Sequence, residues 1–258
     1  MRIAITRLVS PSLADCQLSF VSRTPIDVER ARAQHRAYCR ALAAAGCSVV
    51  ELAAEQDMPD AVFVEDTAVV VDELAVMTRT GAESRRGEGA TIAPALARFR
   101  PLASIEAPGT IDGGDVLRIG RRVFVGQSAR SNPDGIAQLR ALLQPHGYGV
   151  EGVATRGCLH LKSAVTLVAD GTLLVQPAWV DPQVFADWRV IAVDPEEEHA
   201  ANALRIGDSV VYPDCFPRTQ AKLEAAGIRV LALDVSELQK AEGAVTCCSI
   251  VFDASEDA

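Results

Sequence analysis

The sequence has no long uninterrupted apolar run, no basic stripe, no C-x-x-C pair and few aromatic residues, 5% of the chain. Each absence excludes something. A membrane-spanning helix needs about 20 consecutive apolar residues, so none is expected. The opening stretch MRIAITRLVS carries arginines inside its apolar run and is too short for a signal peptide, so a cytoplasmic location is expected. The net charge of -9 comes without regularly placed aromatics, which argues against nucleic acid as a partner. Seven cysteines, an odd number, argue in a reducing compartment against a disulfide framework. Without C-x-x-C or H-x-x-x-H spacing no metal site is expected. Only the C-terminal DASEDA, Asp253 to Ala258, is expected to fray.

What the chain does have is a repeat. Its 258 residues, 49% of them hydrophobic, allow a sizeable core. Four segments share one pattern, a polar or small residue, an apolar strand, a turn and a second apolar strand. They are FVEDTAVVVDELAVMTR from Phe63, IDGGDVLRIGRRVFVG from Ile111, LHLKSAVTLVADGTLLVQ from Leu159 and AANALRIGDSVVYP from Ala200. TCCSIVF would begin a fifth unit, which MRIAITR from the other terminus would complete. Corresponding strands recur every roughly 40 to 50 residues. Between hairpins lie amphipathic helical patterns, the clearest from Ile26 to Gly46 with Asp27 as N-cap. NPDGIAQLRALLQPHG and RTQAKLEAAG repeat the device, and strands such as CSVVEL and IRVLAL follow.

Five such units closed through the termini predict a five-bladed, pseudo-symmetric α/β propeller as one domain, residues 1–258. An open doubly wound sheet is the alternative, but it would alternate single strands with helices. In the ring, polar residues at the start of each first strand face the centre. This places Glu65, Asp66, Asp112, His160 and Cys247 around one cavity. A thiol, an imidazole and a carboxylate are the parts of an activated nucleophile, and the thiol needs a cationic neighbour, His160 or a bound cation, to ionise. By the period of two, Cys248 falls on the opposite face of the strand and packs. The other histidines, His35, His146 and His199, read as surface residues.

The segments DAVFVEDTAVV, TRTGAESRRGE, GTIDGGDVL, VGQSARSN, LHLKS and GAVTCCS, in this order, resemble the dimethylarginine dimethylaminohydrolase family of the guanidine-modifying pentein superfamily. The resemblance implies Cys247 as nucleophile, His160 as the catalytic histidine and Asp112 as the carboxylate that orients it, where some members carry Glu. It implies that Asp66, helped by Glu65, holds a guanidinium, that Asp60 binds an α-amino group, and that Arg85 and Arg130 clamp an α-carboxylate. The adjacent Arg86 is not matched to that role. Leu18 matches a mobile-lid residue and Ala241 a position where a main-chain carbonyl meets substrate. Deiminases and amidinotransferases typically have H-x-D where this chain has His160-Leu161-Lys162. Replacing that Asp by Lys162 leaves room for N-methyl groups.

The implied activity is hydrolysis of Nω-methylated arginine to citrulline and an alkylamine through a covalent cysteine intermediate, without metal or organic cofactor. The implied ligand is a cationic amino acid, and the protein a monomer or homodimer. Two rivals remain, an arginine or agmatine deiminase and a non-catalytic binding protein for arginine derivatives.

Overall fold

In a computed structural model, described here for residues 1–254, the chain forms five three-stranded sheets. Each sheet has an antiparallel pair followed, after a crossover, by a strand parallel to the second. The four internal blades run Ala68–Val70, Ala75–Met77 and Leu102–Ser104; Val116–Ile119, Arg122–Gln127 and Gly149–Ala154; Val165–Ala169, Thr172–Val175 and Arg189–Ala192; and Leu204–Ile206, Ser209–Pro213 and Arg229–Leu233. The fifth is built from both termini. Ile250–Asp253 pairs antiparallel with Arg2–Arg7, which runs parallel to Cys47–Leu52. The expected propeller is the observed fold.

The crossover helices form where the pattern predicts them. Val28–Ala44 begins on Asp27, whose Oδ1 accepts from Arg30 N at 3.0 Å, and gives way to Gly46 at φ +96°. Its buried residues, Ala31, Gln34, His35, Tyr38 and Leu42, form one helical stripe. His35 therefore lies in the core rather than at the surface, and burial pushes its imidazole down to about 4. His199 is exposed and His146 half-buried. Pro133–Leu143 and Pro217–Ala225 are the other long crossover helices, while Ile92–Leu96 and the 3₁₀ turn Pro182–Phe185 are reduced versions.

Five apolar cores lie between successive blades. Because side chains alternate along a strand, Ile3 and Ile5 pack toward Ala68 and Ala75, whereas Ala4 packs toward Ile206 and Val211. Ala68 and Val70 likewise pack into one core and Val69 and Val71 into the next, so a single strand serves two cores, which explains apolar runs such as AVVV where a half-exposed strand would alternate. The inner strands of all five blades line a central channel of about 540 Å³.

The C-terminal expectation divides. Asp253 pairs with Arg2 at 3.0 Å and Ala254 N donates to Met1 O at 2.8 Å, so the first two residues of DASEDA are held. Residues 255–258 lie outside the described part. No described helix is long and apolar enough to cross a membrane.

The cap on the longest helix is a local test of this architecture. Asp27→Ala should lower unfolding free energy by about 1 kcal/mol, measured as a shift in urea midpoint at constant slope.

Candidate active site

A helical turn precedes each inner strand, and these turns carry the polar residues toward one end of the channel. They are Val64–Thr67, Gly113–Asp115, Leu161–Ala164 and the turns at 198–201 and 245–248. Cys247 and Cys248 lie in the last turn, before the strand that starts at Ile250, and not on the strand as the alternation suggested. Cys247 N bonds Ala244 O at 3.2 Å, closing the turn. Cys248 is buried with its Sγ 3.6 Å from Ala244 O, so its packing role follows from the turn rather than from a strand face.

Cys247, His160, Asp66, Asp60, Arg85, Arg130 and Ala241 line one narrow cavity of about 20 Å³, with Gln17, Phe63, Leu159, Glu242 and Gly243. His160 precedes its short helix in extended conformation, and its Nε2 lies 3.0 Å from Asp112 Oδ2. Asp112 is completely buried; its other oxygen accepts from Gly81 N at 2.8 Å. The other imidazole nitrogen lies 3.9 Å from Asp66 Oδ1, which also accepts from Gly114 N at 2.9 Å. A Cβ on Gly114 would stand 2.6 Å from His160 Nδ1, so the second glycine of IDGGD makes room for the imidazole.

Burial alone would discharge His160, but Asp66, Asp112 and Asp115 outweigh it and raise the imidazole from 6.5 to about 9. Asp66 is likewise opposed by burial, yet His160 and Arg85 hold it down at about 2. Asp115 goes the other way, to about 6, because burial dominates although Ser128, Ser131 and Leu161 N all donate to it. The Cys247 thiol is pushed up to about 12 by burial and by the carboxylates of Glu65 and Asp66. With these shifts the pair at neutral pH is imidazolium and thiol.

Three expected ligand contacts differ from the resemblance. Arg85 does not present its guanidinium freely. It meets Asp66 at 2.6 Å and Glu88 at 2.8 Å, and donates to Phe63 O at 3.1 Å, so most of its five N–H groups are taken. Arg130 is the freer arginine, with one 3.4 Å contact to Asp112 among the described acids. Glu65 does not line the cavity. Its oxygens take Lys162 Nζ at 2.6 Å and Thr246 Oγ1 at 2.7 Å, and all three residues line the channel on the other side. Adjacent residues, Glu65 and Asp66 or Thr246 and Cys247, thus face opposite sides of a thin floor. Leu18 packs against the core, and Gln17 reaches the cavity instead, its N–H donating to Asp60 Oδ2 at 3.2 Å.

Sequence reasoning missed Glu88, the buried partner of Arg85, although it stands three residues on in ESRRGE. It also missed Asp115, the second acid of IDGGD, and Asn202, which bonds both Thr246 and the Lys162 carbonyl. A second charge at helical spacing was the available signal for the first; Asn202 has none.

Among the described residues, two groups could offer a metal three ligands within 4.8 Å, Asp66 with Asp112 and His160, and His35 with Cys39 and Glu51. The first is already joined by the hydrogen bonds and ion pairs above. The second lies on the long crossover helix and its neighbouring strand, outside the cavity.

Because the folded value of His160 lies above 6.5, the imidazolium adds stability present below pH 6.5 that is lost as pH rises through about 9. An NMR titration should place the His160 midpoint near 9, and Asp112→Asn should lower it by at least about one unit. Midpoints near 6.5 in both proteins would exclude the ion pair.

Comparison with known proteins fits this geometry. The arginine deiminase family profile matches residues 54–200. The chain is 37% identical to an N(G),N(G)-dimethylarginine dimethylaminohydrolase of Pseudomonas aeruginosa, over 96% of this chain and 98% of that one. It is 41% identical to the enzyme of the same name from Streptomyces coelicolor, over 96% and 95%. A solved structure of the Pseudomonas protein, a mutant complexed with citrulline, superposes with a TM-score of 0.93 at 36% identity, covering 96% and 98%. With its five blades and this constellation at their centre, the chain belongs to the dimethylarginine dimethylaminohydrolase family of penteins.

Proposed function

We propose that the protein hydrolyses Nω-methylated arginine to citrulline, releasing dimethylamine or methylamine, with Cys247 as nucleophile. The observation that carries the reading is the placement of His160, 3.0 Å from Asp112 and 3.9 Å from Asp66, in the cavity that Cys247 also lines.

The charges suit that reaction in order. A methylated guanidinium that binds against Asp66 brings a positive charge beside the thiol. It offsets the carboxylates that keep Cys247 protonated, so ionisation accompanies binding and the thiol proton is released to solvent. The thiolate attacks the guanidinium carbon and forms a tetrahedral adduct. His160, already an imidazolium, gives its proton to the methylated nitrogen as the C–N bond breaks, a contribution of about 10²–10⁴ in rate. This leaves an amidino-thioether on Cys247 and a neutral imidazole. His160 then takes a proton from water, the hydroxyl adds to the same carbon, and as the C–S bond breaks the hydroxyl proton passes to the departing sulfur, giving citrulline and the thiol.

In this reading Asp60 receives the α-ammonium with the carbonyl of Ala241, and Arg130 the α-carboxylate. Arg85 acts mainly by fixing Asp66, since its donors are committed to that carboxylate and to Glu88. Lys162 neutralises Glu65 on the channel side and supplies no carboxylate to the second edge of the guanidinium, which leaves methyl groups unopposed. A cytoplasmic location belongs to the same proposal and accords with seven free cysteines.

Citrulline and dimethylamine should appear from asymmetric dimethylarginine, and little product from arginine. Cys247→Ser should abolish turnover while Cys248→Ser retains it. Ammonia from arginine would move the protein to the deiminases, and loss of activity only in Cys248→Ser would overturn the choice of nucleophile.

A further inference from the structure

A cavity of about 20 Å³ has room for about one water molecule. An amino acid enters only if part of the wall moves. Gln17 belongs to that wall, and the segment it begins, Gln17 to Arg23, is largely exposed, with its backbone held by side chains rather than by a sheet. Gln17 N donates to Asp60. Beyond Leu18, three consecutive amides converge on a single carboxylate. Ser19 N lies 2.9 Å from both oxygens of Glu242, Val21 N lies 2.7 Å from Oε1, and Phe20 N donates to the same oxygen. Arg23 closes the base of the segment on the carbonyls of Ala14 and Cys16, at 2.7 and 2.5 Å.

Glu242 is held in an unusual backbone conformation. It is the one non-glycine residue with positive φ, +58°, among the described residues. An L side chain there costs about 1 kcal/mol or more, and glycine would remove the cost along with the carboxylate. The turn itself is pinned, since a Cβ on the following Gly243 would stand 2.1 Å from the Phe63 ring. The strained turn therefore projects the carboxylate at the segment from the cavity wall, directly after Ala241.

We propose that Glu242 is the latch of this cavity, a positioning residue whose carboxylate holds the segment 17–23 closed over Cys247 and whose release admits substrate and frees product. The identity of that substrate rests on the function proposed above; the latch is a property of the empty protein. Asp60 links the two, because the carboxylate that holds Gln17 N also faces the cavity where the α-ammonium would bind. An arriving ammonium competes for the anion that keeps this end of the segment in place, whereas Glu242 keeps hold of the other end.

The test is alkylation of Cys247 by iodoacetamide in the empty enzyme, followed by the mass of its peptide. Glu242→Gln keeps the shape but removes the charge. Alkylation should accelerate about tenfold, the scale of one lost hydrogen bond to a charged group. The same factor at pH 7 and pH 9 marks access rather than thiol ionisation. Ser19→Pro, which deletes one donor from the segment without touching the turn, should act in the same direction. With asymmetric dimethylarginine, KM should rise about tenfold in Glu242→Gln while kcat does not fall. Unchanged alkylation in both variants, with thermal midpoints like the wild type, overturns the latch. Absence of turnover in the wild type would overturn the proposed function and leave the alkylation result decisive for the latch.

Discussion

The antiparallel pairing of Arg2–Arg7 with Ile250–Asp253 is the constraint on which the site depends. It joins the two ends of the chain, and Ile250, opposite Ile5, stands three residues after Cys247. Closing the ring and placing the thiol are therefore one event. The placement is reinforced across the seam, where Glu65 N donates to Cys247 O at 3.1 Å and ties the turn of the first internal blade to that of the terminal one. The backbone of Asp66, next in sequence, is thereby set relative to the thiol, and Arg85 and Gly114 N then fix its carboxylate.

Around that frame the site is an arrangement of buried charge. Asp66, Glu88, Asp112 and Asp115 are buried with Arg85, Arg130 and His160; Arg85 pairs with Asp66 and Glu88, His160 lies beside Asp112 and Asp66, and Arg130 meets Asp112. Buried ions are costly unless paired and hydrogen-bonded, and here backbone amides of Gly81, Gly114 and Leu161 complete the pairing. The balance leaves the thiol protonated and the imidazole charged. A cation bound against Asp66 would offset the field that keeps the thiol protonated, while Asp112 still holds the imidazole by its hydrogen bond, so the carboxylates that hold the thiol inactive select the charge type that activates it.

Much of this was legible in the sequence. The hairpin repeats, the helix stripe from Asp27 to Gly46 and the use of both termini in one blade follow from hydrophobic period and turn residues, which are local signals. Cys247, His160, Asp112 and Asp66 could be named because each stands in a distinctive motif at an equivalent place in its blade. The failures have physical reasons as well. The cysteine pair looked like strand because period-two alternation cannot distinguish a strand from the helical turn that precedes it. His35 lies on the buried stripe at 31, 34, 35, 38 and 42, so the period marked it as core, but its polarity suggested otherwise. The pairing of Arg85 with Glu88, the turning of Glu65 toward the channel and the replacement of Leu18 by Gln17 at the cavity are choices of side-chain direction. Such choices are made by tertiary neighbours and leave no trace in spacing.

The sharing of every core between two blades bears on how the molecule comes apart. A blade taken alone has apolar side chains on both faces of its sheet, and a ring missing one blade exposes two such faces at the gap. A linear array of repeats can lose an end unit and keep the rest, but here the first blade to detach opens the flanks of its two neighbours. Unfolding is accordingly cooperative around the circle, and partly assembled chains present sticky surfaces to one another until the last strand closes.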